Sequence, residues 1–158
     1  MSVGIYKQTA RDIMTKHVAT IRSMETIHDA LELMAENHLS AIPVVDQRGS
    51  CVGIVSQADI IGFARDADED DQPVNLSRNL ASIMSGGIPL DQITRERIDE
   101  VMSDHVIVAN ANESAISLAD KMISYEIHHV PVVDDDDQLL GIVSTIDILK
   151  GLRQTIAH

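Results

Sequence analysis

Aromatic residues are nearly absent from this chain of 158 residues: it has Tyr6, Phe63 and Tyr125 and no tryptophan. Aliphatic side chains and methionine must therefore build the interior. The apolar fraction of 44% is enough for one compact domain or for two small units that share a core. The single cysteine, Cys51, cannot form an intrachain disulfide, so the sequence gives no sign of an oxidising compartment.

Positive charge is also scarce, with 12 Lys and Arg against 25 Asp and Glu and a formal net charge of −13. A surface this acidic repels phosphate backbones and anionic lipids, which argues against a nucleic-acid or membrane partner. No apolar run reaches the roughly 18 residues of a membrane span, and the N-terminus lacks the pattern of a signal peptide. We therefore expect a cytoplasmic protein.

The chain matches itself without a gap at an offset of 88 residues, as from Ser56 to Ser144. Matching over about 50 residues is typical of an internal duplication. Two copies predict two similar units packed about an approximate twofold axis. The clearest matches are Asp12-Ile13-Met14 with Glu100-Val101-Met102, Ile42-Pro43-Val44-Val45-Asp46 with Val130-Pro131-Val132-Val133-Asp134, and Gly53-Ile54-Val55-Ser56 with Gly141-Ile142-Val143-Ser144.

In each copy the hydrophobic pattern predicts the order β-α-β-β-α, and hence a mixed α/β (α+β) fold. A short apolar run at 18–21 or 106–109 precedes a helix that Thr26 or Ser114 caps. A strand hairpin follows, and a last helix starts at Ser56 or Ser144. The predicted hairpin strands are 41–45 and 51–55 in the first copy and 130–133 and 139–143 in the second.

The self-match sets the repeats at residues 1–63 and 99–158, joined by a connecting segment at 64–98. That segment contains an acidic cluster from Asp66 to Asp71. Its apolar residues Leu80, Ile83 and Met84 predict a helical turn or two. A role as a lid, a dimerisation arm or a partner site stays open.

The string Gly-Ile-Val-Ser-x-x-Asp occurs twice, at 53–59 and 141–147, and has two interpretations. In the first, the Ser and the Asp form a capping box at the start of the last helix, and the glycine admits another backbone. In the second, the helix start binds phosphate or ribose oxygens, and the carboxylate accepts the hydroxyl groups of a ribose. The sequence alone leaves both open.

Taken together, the Asp-Ile-Met and Glu-Val-Met openings, the Pro-Val-Val-Asp strands and the doubled Gly-Ile-Val-Ser-x-x-Asp-Ile string resemble a tandem pair of cystathionine-β-synthase-type (CBS) domains, often called a Bateman module. The resemblance covers the chain except the connecting segment. It implies two βαββα repeats with two related clefts between them. In similar proteins such clefts bind AMP, ADP, ATP or S-adenosylmethionine.

The resemblance implies that each cleft takes its Ser and Asp from one repeat and its adenine-contacting strand residues from the other. The Asp would hold the ribose hydroxyls, and the Ser would face ribose or phosphate. One predicted site consists of Ser56, Asp59, Ile107, Val108, His128, His129 and Val130. The other consists of Ser144, Asp147, Ala19, Thr20, Ser40, Ala41 and Ile42.

The resemblance also bears on the phosphate ligands. The nucleotide-sensing gamma subunits of AMP-activated kinases have a His-Arg pair where this chain has His128 and His129. A histidine is mostly neutral at pH 7, so phosphate binding at His129 would be weaker or pH-sensitive. The alternative is that both histidines simply face solvent. Arg65 and Arg153 are further candidates for phosphate contact, or merely favourable charges near helix C-termini.

No catalytic or metal-binding pattern is visible. The acidic run from Asp134 to Asp137 lacks the spaced ligands and glycine of a calcium loop and is read as a turn. The seven histidines lack the spacing of a metal site. The resemblance therefore implies a regulatory module that binds an adenosine ligand and is not an enzyme, and by analogy with free CBS pairs it implies a homodimer that acts on an effector protein. The alternative is a ligand-independent interaction module in which both Ser-x-x-Asp strings are only helix caps.

Overall fold

The computed structural model describes residues 4–66 and 93–156, and each repeat in these ranges contains a three-stranded sheet with helices packed on it. The middle of the predicted connecting segment, with its acidic cluster beyond Asp66 and its expected helical turns, lies outside the described residues. The predicted α/β fold with two βαββα repeats is confirmed. The first repeat consists of β1 (Ile21–Arg22), α2 (Ile27–Asn37), β2 (Ala41–Val45), β3 (Cys51–Ser56) and α3 (Gln57–Asp66), and the second of β4 (Ala109–Asn110), α4 (Ala115–Ser124), β5 (His129–Val133), β6 (Leu139–Ser144) and α5 (Thr145–Ile156).

Each sheet has one parallel and one antiparallel strand pair. The central strand pairs in parallel with the short first strand and in antiparallel with the last strand of the repeat. The first strands are shorter than the predicted runs, because pairing begins only at Ile21 and Ala109. The residues just before them instead continue toward the other repeat.

Local polar contacts set the ends of the helices and hairpins as the sequence predicts. Thr26 and Asp29 form a reciprocal capping box at the start of α2, and Ser114 accepts a hydrogen bond from the amide of Ser117 at the start of α4. In the first hairpin, Asp46 accepts hydrogen bonds from the amides of Arg48 and Ser50 at 2.8 and 2.9 Å. Asp134 holds the second hairpin in the same way, so the acidic run is a turn.

The two repeats exchange the segments that precede their first strands. Residues before β1 form a short 3-10 helix (Ile5–Lys7) and α1 (Ala10–Ile13), and Ile5 and Ala10 are buried in the core of the second repeat. A 3-10 helix before β4 (Ile98–Glu100) buries Ile98 in the core of the first repeat. Each core therefore needs a segment of the other repeat, which the boundaries drawn from the self-match did not anticipate.

The contacts between the repeats are reciprocal, as an approximate twofold axis requires. The backbone of Thr15 pairs with Ile142, and the backbone of Ser103 pairs with Ile54. Ser103 is the repeat equivalent of Thr15, and Ile54 is the repeat equivalent of Ile142, so the two bridges are the same contact made in both directions. Near the axis the hairpins meet, where the side-chain amide of Gln138 donates to the Ser50 hydroxyl at 2.8 Å. The pseudo-twofold relation therefore holds at the level of single residues.

The glycines of the repeated string make these crossings possible. A Cβ on Gly141 would lie 2.6 Å from the carbonyl oxygen of Thr15, and one on Gly53 would lie 2.9 Å from the carbonyl oxygen of Ser103. Both contacts are to backbone atoms that are themselves held in the bridges. The missing side chain at each glycine therefore leaves room for the backbone of the exchanged segment, as the capping-box interpretation of the string predicts.

We expect Gly141→Ala to lower the free energy of unfolding by about 1–3 kcal/mol, the usual cost of forcing atoms into packed space. Urea unfolding followed by circular dichroism measures the change. Gly62→Ala is the matched control, because a Cβ on Gly62 in α3 would meet nothing within 4 Å. That control removes a helix-interior glycine and should stabilise the protein by up to about 1 kcal/mol. If the two substitutions changed the free energy of unfolding equally, the cost could not come from the approach of the Thr15 carbonyl to Gly141.

Candidate functional site

A cleft of about 460 Å³ opens between the two repeats and is lined by residues of both. We call it the Ser144 cleft. It brings together five residues of the second predicted site and leaves out Thr20 and Ile42. Its lining consists of Thr15, His17, Val18, Ala19, Asn37, His38, Leu39, Ser40, Ala41, His129, Ile142, Ser144, Asp147 and Lys150.

The exchanged segment is what forms one wall of this cleft. The amide of Thr15 donates to the carbonyl of Ile142 at 2.9 Å, and the reverse bond is 3.0 Å long. This pairing holds residues 15–19 beside the end of β6, where Ser144 leads into α5. The start of a helix carries unpaired amides and a partial positive charge, so this end of the cleft suits an anion or a polar oxygen.

Ser144 and Asp147 form a capping box at the start of α5. One carboxylate oxygen, Oδ2 of Asp147, accepts hydrogen bonds from the Ser144 amide and hydroxyl, both at 2.8 Å. The other oxygen, Oδ1, lies 3.8 Å from Nζ of Lys150. Capping therefore uses only Oδ2 of Asp147. The side chain also lines the cleft, where Oδ1 is not used for capping.

Ser56 and Asp59 repeat this arrangement at the start of α3. Oδ2 of Asp59 accepts from the Ser56 amide at 2.8 Å and from the Ser56 hydroxyl at 2.7 Å, and the Asp59 amide donates to the Ser56 hydroxyl at 3.1 Å. Both copies of the string are thus helix caps. Capping does not decide between the two interpretations, because a ligand site would use the same geometry.

Several other residues of the predicted sites are buried in the cores or already hydrogen-bonded within the fold. The side chains of Ile42 and Val130 are fully buried in the two cores, so only their backbones can face a ligand. The carbonyl of Val108 accepts a hydrogen bond from Nζ of Lys121 at 2.9 Å. His128 is exposed, and Ile107 is partly buried.

His129 was assigned to the Ser56 site, but the structure places it in the wall of the Ser144 cleft. The reason is the strand register, because His129 on β5 is the antiparallel partner of Ser144 on β6. Its equivalent in the first repeat, Ala41, also lines this cleft. The two positions therefore lie close to the pseudo-twofold axis, between the two predicted sites.

Neither of the two arginines selected from the sequence lines the Ser144 cleft. Arg65 and Arg153 are exposed and do not line it, and Nε of Arg65 lies 3.8 Å from the carboxylate of Asp66. Lys150 lines it instead, one helical turn after Asp147. This spacing of three residues is the signal that could have identified Lys150, since residues three apart share a helix face.

Burial, together with the neighbouring His128, holds the pKa of His129 below its ordinary value of 6.5, although the carboxylate of Asp147 opposes this shift. The neutral form of His129 is therefore favoured in the folded protein. The unfolded chain binds the proton more tightly, so this residue's contribution to stability is lost as the pH falls below about 6.5 toward the pKa in the folded state.

We expect an NMR titration of the full chain to give His129 a midpoint below 6.5. Asp147→Asn should lower that midpoint further, because it removes the charge that favours the imidazolium. The matched control Asp29→Asn removes a capping carboxylate that does not line the cleft, and it should leave the His129 midpoint unchanged. A His129 midpoint at or above 6.5 would contradict the burial argument.

Three further observations concern metal binding, membrane spanning and nucleophilic chemistry. In residues 4–66 and 93–156, no group of three or more His, Cys, Asp and Glu side chains is placed to hold a metal ion. In the same ranges no helix is long and apolar enough to span a membrane. Burial raises the pKa of the Cys51 thiol, which makes it a poor nucleophile.

Two relatives resemble the chain over most of its length. Uncharacterized protein MJ1426 of Methanocaldococcus jannaschii is 28% identical over 90% of this chain and 89% of its own length. The crystal structure of the CBS domain pair of protein MJ0100 with 5′-methylthioadenosine and S-adenosyl-L-methionine superposes with a TM-score of 0.67, at 26% identity over 91% of this chain and 94% of that chain.

Other matches are more distant or partial. The structure of CBSX2 with AMP shares the fold, with a TM-score of 0.72 and 22% identity over 95% of this chain and 98% of that chain. The chain also spans between 22% and 26% of several longer archaeal proteins, among them the L-aspartate semialdehyde sulfurtransferase of Methanocaldococcus jannaschii, with 30% identity over 89% of this chain.

The model of the CBS domain matches the chain twice, at residues 10–66 and 98–154. The two matches have the same length and are separated by the repeat offset. Within the described residues they include the strands β1 to β6 and the helices packed on the sheets, apart from the end of α5. The chain therefore belongs to the CBS domain family, as a tandem pair.

Proposed function

We propose that the chain is a regulatory, non-catalytic module that binds an adenosine-type ligand, such as AMP, ADP, ATP or S-adenosylmethionine, in the Ser144 cleft. The observation that carries this proposal is the cleft itself, which joins Ser144 and Asp147 of one repeat to Ala19, Ser40 and Ala41 of the other. The MJ0100 pair, at 26% identity, supports it because that protein was solved with two adenosine compounds.

The chemistry of the cleft suits a nucleoside. Its volume falls within the range of about 300–1,000 Å³ typical of small-molecule sites. Val18, Ala19 and Leu39 offer an apolar wall for an adenine ring. Oδ1 of Asp147, the oxygen not used for capping, would accept the ribose hydroxyls, and the start of α5 would face the 5′ substituent.

A ligand in this position would act on both repeats at once. It would contact the segment 15–19, which Thr15 bridges to β6 of the second repeat, and the strand β2 of the first. Binding would therefore bias how the repeats are set against each other, and by linkage it would change the affinity for an effector protein.

A second candidate function, protein–protein interaction, is favoured by an exposed apolar surface on the second repeat. The helices α4 and α5 pack against each other, and both present large apolar side chains to solvent. The equivalent positions of Ile116, Ile123 and Ile146 in the first repeat are His28, Ala35 and Ala58. The exposed side chains are Ile116, Ile123, Ile146, Leu149 and Leu152. We propose that this surface forms the homodimer, alongside ligand binding.

The test of ligand binding is a thermal unfolding series with AMP, ATP, S-adenosylmethionine, 5′-methylthioadenosine and GTP. A compound at a hundredfold excess over its Kd stabilises the folded state by about 2.7 kcal/mol, which is several degrees in Tm for a chain of this size. We expect at least one adenosine compound to give such a shift and Asp147→Ala to abolish it.

Asp29→Ala is the matched control, because Asp29 forms the same capping box at the start of α2 but does not line the cleft. Both variants should lose about 1 kcal/mol from the missing cap. Only Asp147→Ala should lose the ligand shift. If no adenosine compound raises the Tm of the wild-type chain, the interaction function becomes the better explanation.

The homodimer is tested by sedimentation of Ile123→Glu/Leu149→Glu, two side chains that are 76% and 57% exposed. We expect the wild type to sediment as a dimer and the variant as a folded monomer, because exposed positions contribute little to the fold of a single chain. The Tm of the variant should fall only by the stabilisation that dimerisation supplies. The matched control Ala35→Glu alters the equivalent position of the first repeat and should leave the dimer intact. A wild-type monomer would contradict the proposal.

A further inference from the structure

The pseudo-twofold relation predicts a counterpart of the Ser144 cleft at the start of α3, which we call the Ser56 cleft. The Ser103–Ile54 bridge repeats the Thr15–Ile142 bridge, and the Ser56–Asp59 cap repeats the Ser144–Asp147 cap. Positions 88 residues apart are thus equivalent in the two clefts. Applied to the Ser144 lining, the offset defines the Ser56 cleft by Ser56, Asp59, His105, Ile107, Glu126 and His128.

The equivalent positions differ in charge. Lys150 of the Ser144 cleft corresponds to Gly62 in the Ser56 cleft. His38 corresponds to Glu126, and both adopt the same left-handed backbone conformation with a φ of 54°, so their side chains leave the chain in the same direction. Both differences make the Ser144 cleft more positive than the Ser56 cleft.

A third difference lies next to the lining. Lys16 precedes His17, a lining residue of the Ser144 cleft, whereas the equivalent of Lys16 is Asp104, whose carboxylate lies 2.6 Å from the ring of His105. The Ser56 cleft has one compensating group, since His128 stands at the position of Ser40. A single imidazole cannot offset the three charge differences together.

We propose that the two clefts select adenosine ligands by charge: the Ser144 cleft takes a phosphorylated nucleoside, and the Ser56 cleft takes an uncharged or cationic one, such as a thioether or sulfonium nucleoside. This inference rests on the proposed adenosine binding. In a chain of net charge −13, a phosphate is repelled over most of the surface, so a local cation decides where it binds. Lys150 supplies that cation, and Glu126 opposes a phosphate in the other cleft, whereas Asp59 and Asp147 are equivalent and do not distinguish the two.

The experiment is calorimetric titration of the full chain at pH 8 and low salt, where histidines are neutral and screening is weak. The probes are AMP and 5′-methylthioadenosine, which share the nucleoside but differ in charge. We expect the wild type to bind one AMP per chain with measurable affinity. Lys150→Gln should weaken AMP about fivefold, in the range of a single partly exposed ion pair, and change 5′-methylthioadenosine less than twofold.

Arg48→Gln is the matched control for net charge, because it removes one positive charge from the exposed hairpin turn, away from the cleft lining. It should leave the affinity for AMP unchanged within about twofold. An equal effect of Arg48→Gln and Lys150→Gln would mean that overall charge, and not the position of Lys150, determines AMP binding, and would overturn the proposal.

A gain-of-function variant tests the other cleft. Gly62→Lys/Glu126→His transfers the charges of the Ser144 cleft to the Ser56 cleft, and the space beside Gly62 is open, since a Cβ there meets nothing within 4 Å. We expect this variant to bind a second AMP per chain. Gly62→Gln/Glu126→Gln, which adds length without positive charge, should not.

Three results would overturn the proposal: two equal AMP sites in the wild type, equal weakening of both probes by Lys150→Gln, or no second AMP in the transfer variant. Each of these still leaves adenosine binding in place. If instead neither probe binds the wild-type chain, the proposed function itself fails. The two failures are therefore distinguishable in one titration series.

Discussion

The exchange of backbone segments between the repeats is the constraint on which the rest of the structure depends. Thr15 pairs with Ile142 and Ser103 with Ile54, and each crossing segment also places an apolar side chain in the core of the other repeat. Neither core is complete without the other repeat, so the two should fold and unfold as one unit. The same crossings form a wall of the cleft, which means that the site exists only when both repeats are folded.

The Ser-x-x-Asp string illustrates how one geometry serves stability and binding together. A capping Ser and Asp must sit at the start of a helix, and that is also where free amides and the helix dipole attract a ligand oxygen. In the second repeat the cap uses only Oδ2 of Asp147 and leaves Oδ1 directed to Lys150. A comparison with Asp29, which caps α2 in the same way away from the cleft, is what separates the two roles.

Periodicity and turn chemistry predicted the fold because they depend on neighbours in sequence. The hairpin strands, the caps at Thr26 and Ser114 and the Asp46 turn all follow from local patterns. The exchange of segments could not be predicted in this way, because no local pattern shows which core will bury Ile98. The cleft was predicted in part: Ser144 and Asp147 carry a motif, whereas Lys150 has none and is recognised only by its place on the helix face. Which residues hold a ligand stays a prediction.

The duplication explains why the framework repeats and the clefts differ. Positions that build the sheets, such as Gly53 and Gly141, must keep their residue type, because a Cβ at either would strike the backbone of the crossing segment. Positions that only face the cleft carry no such constraint. Gly62 and Lys150 occupy equivalent places, and packing constrains neither, because the space beside Gly62 is open and the Lys150 side chain is largely exposed. Divergence at such positions therefore changes the charge presented to a ligand and leaves the fold untouched, which is the condition under which one duplicated scaffold can hold two sites of different specificity.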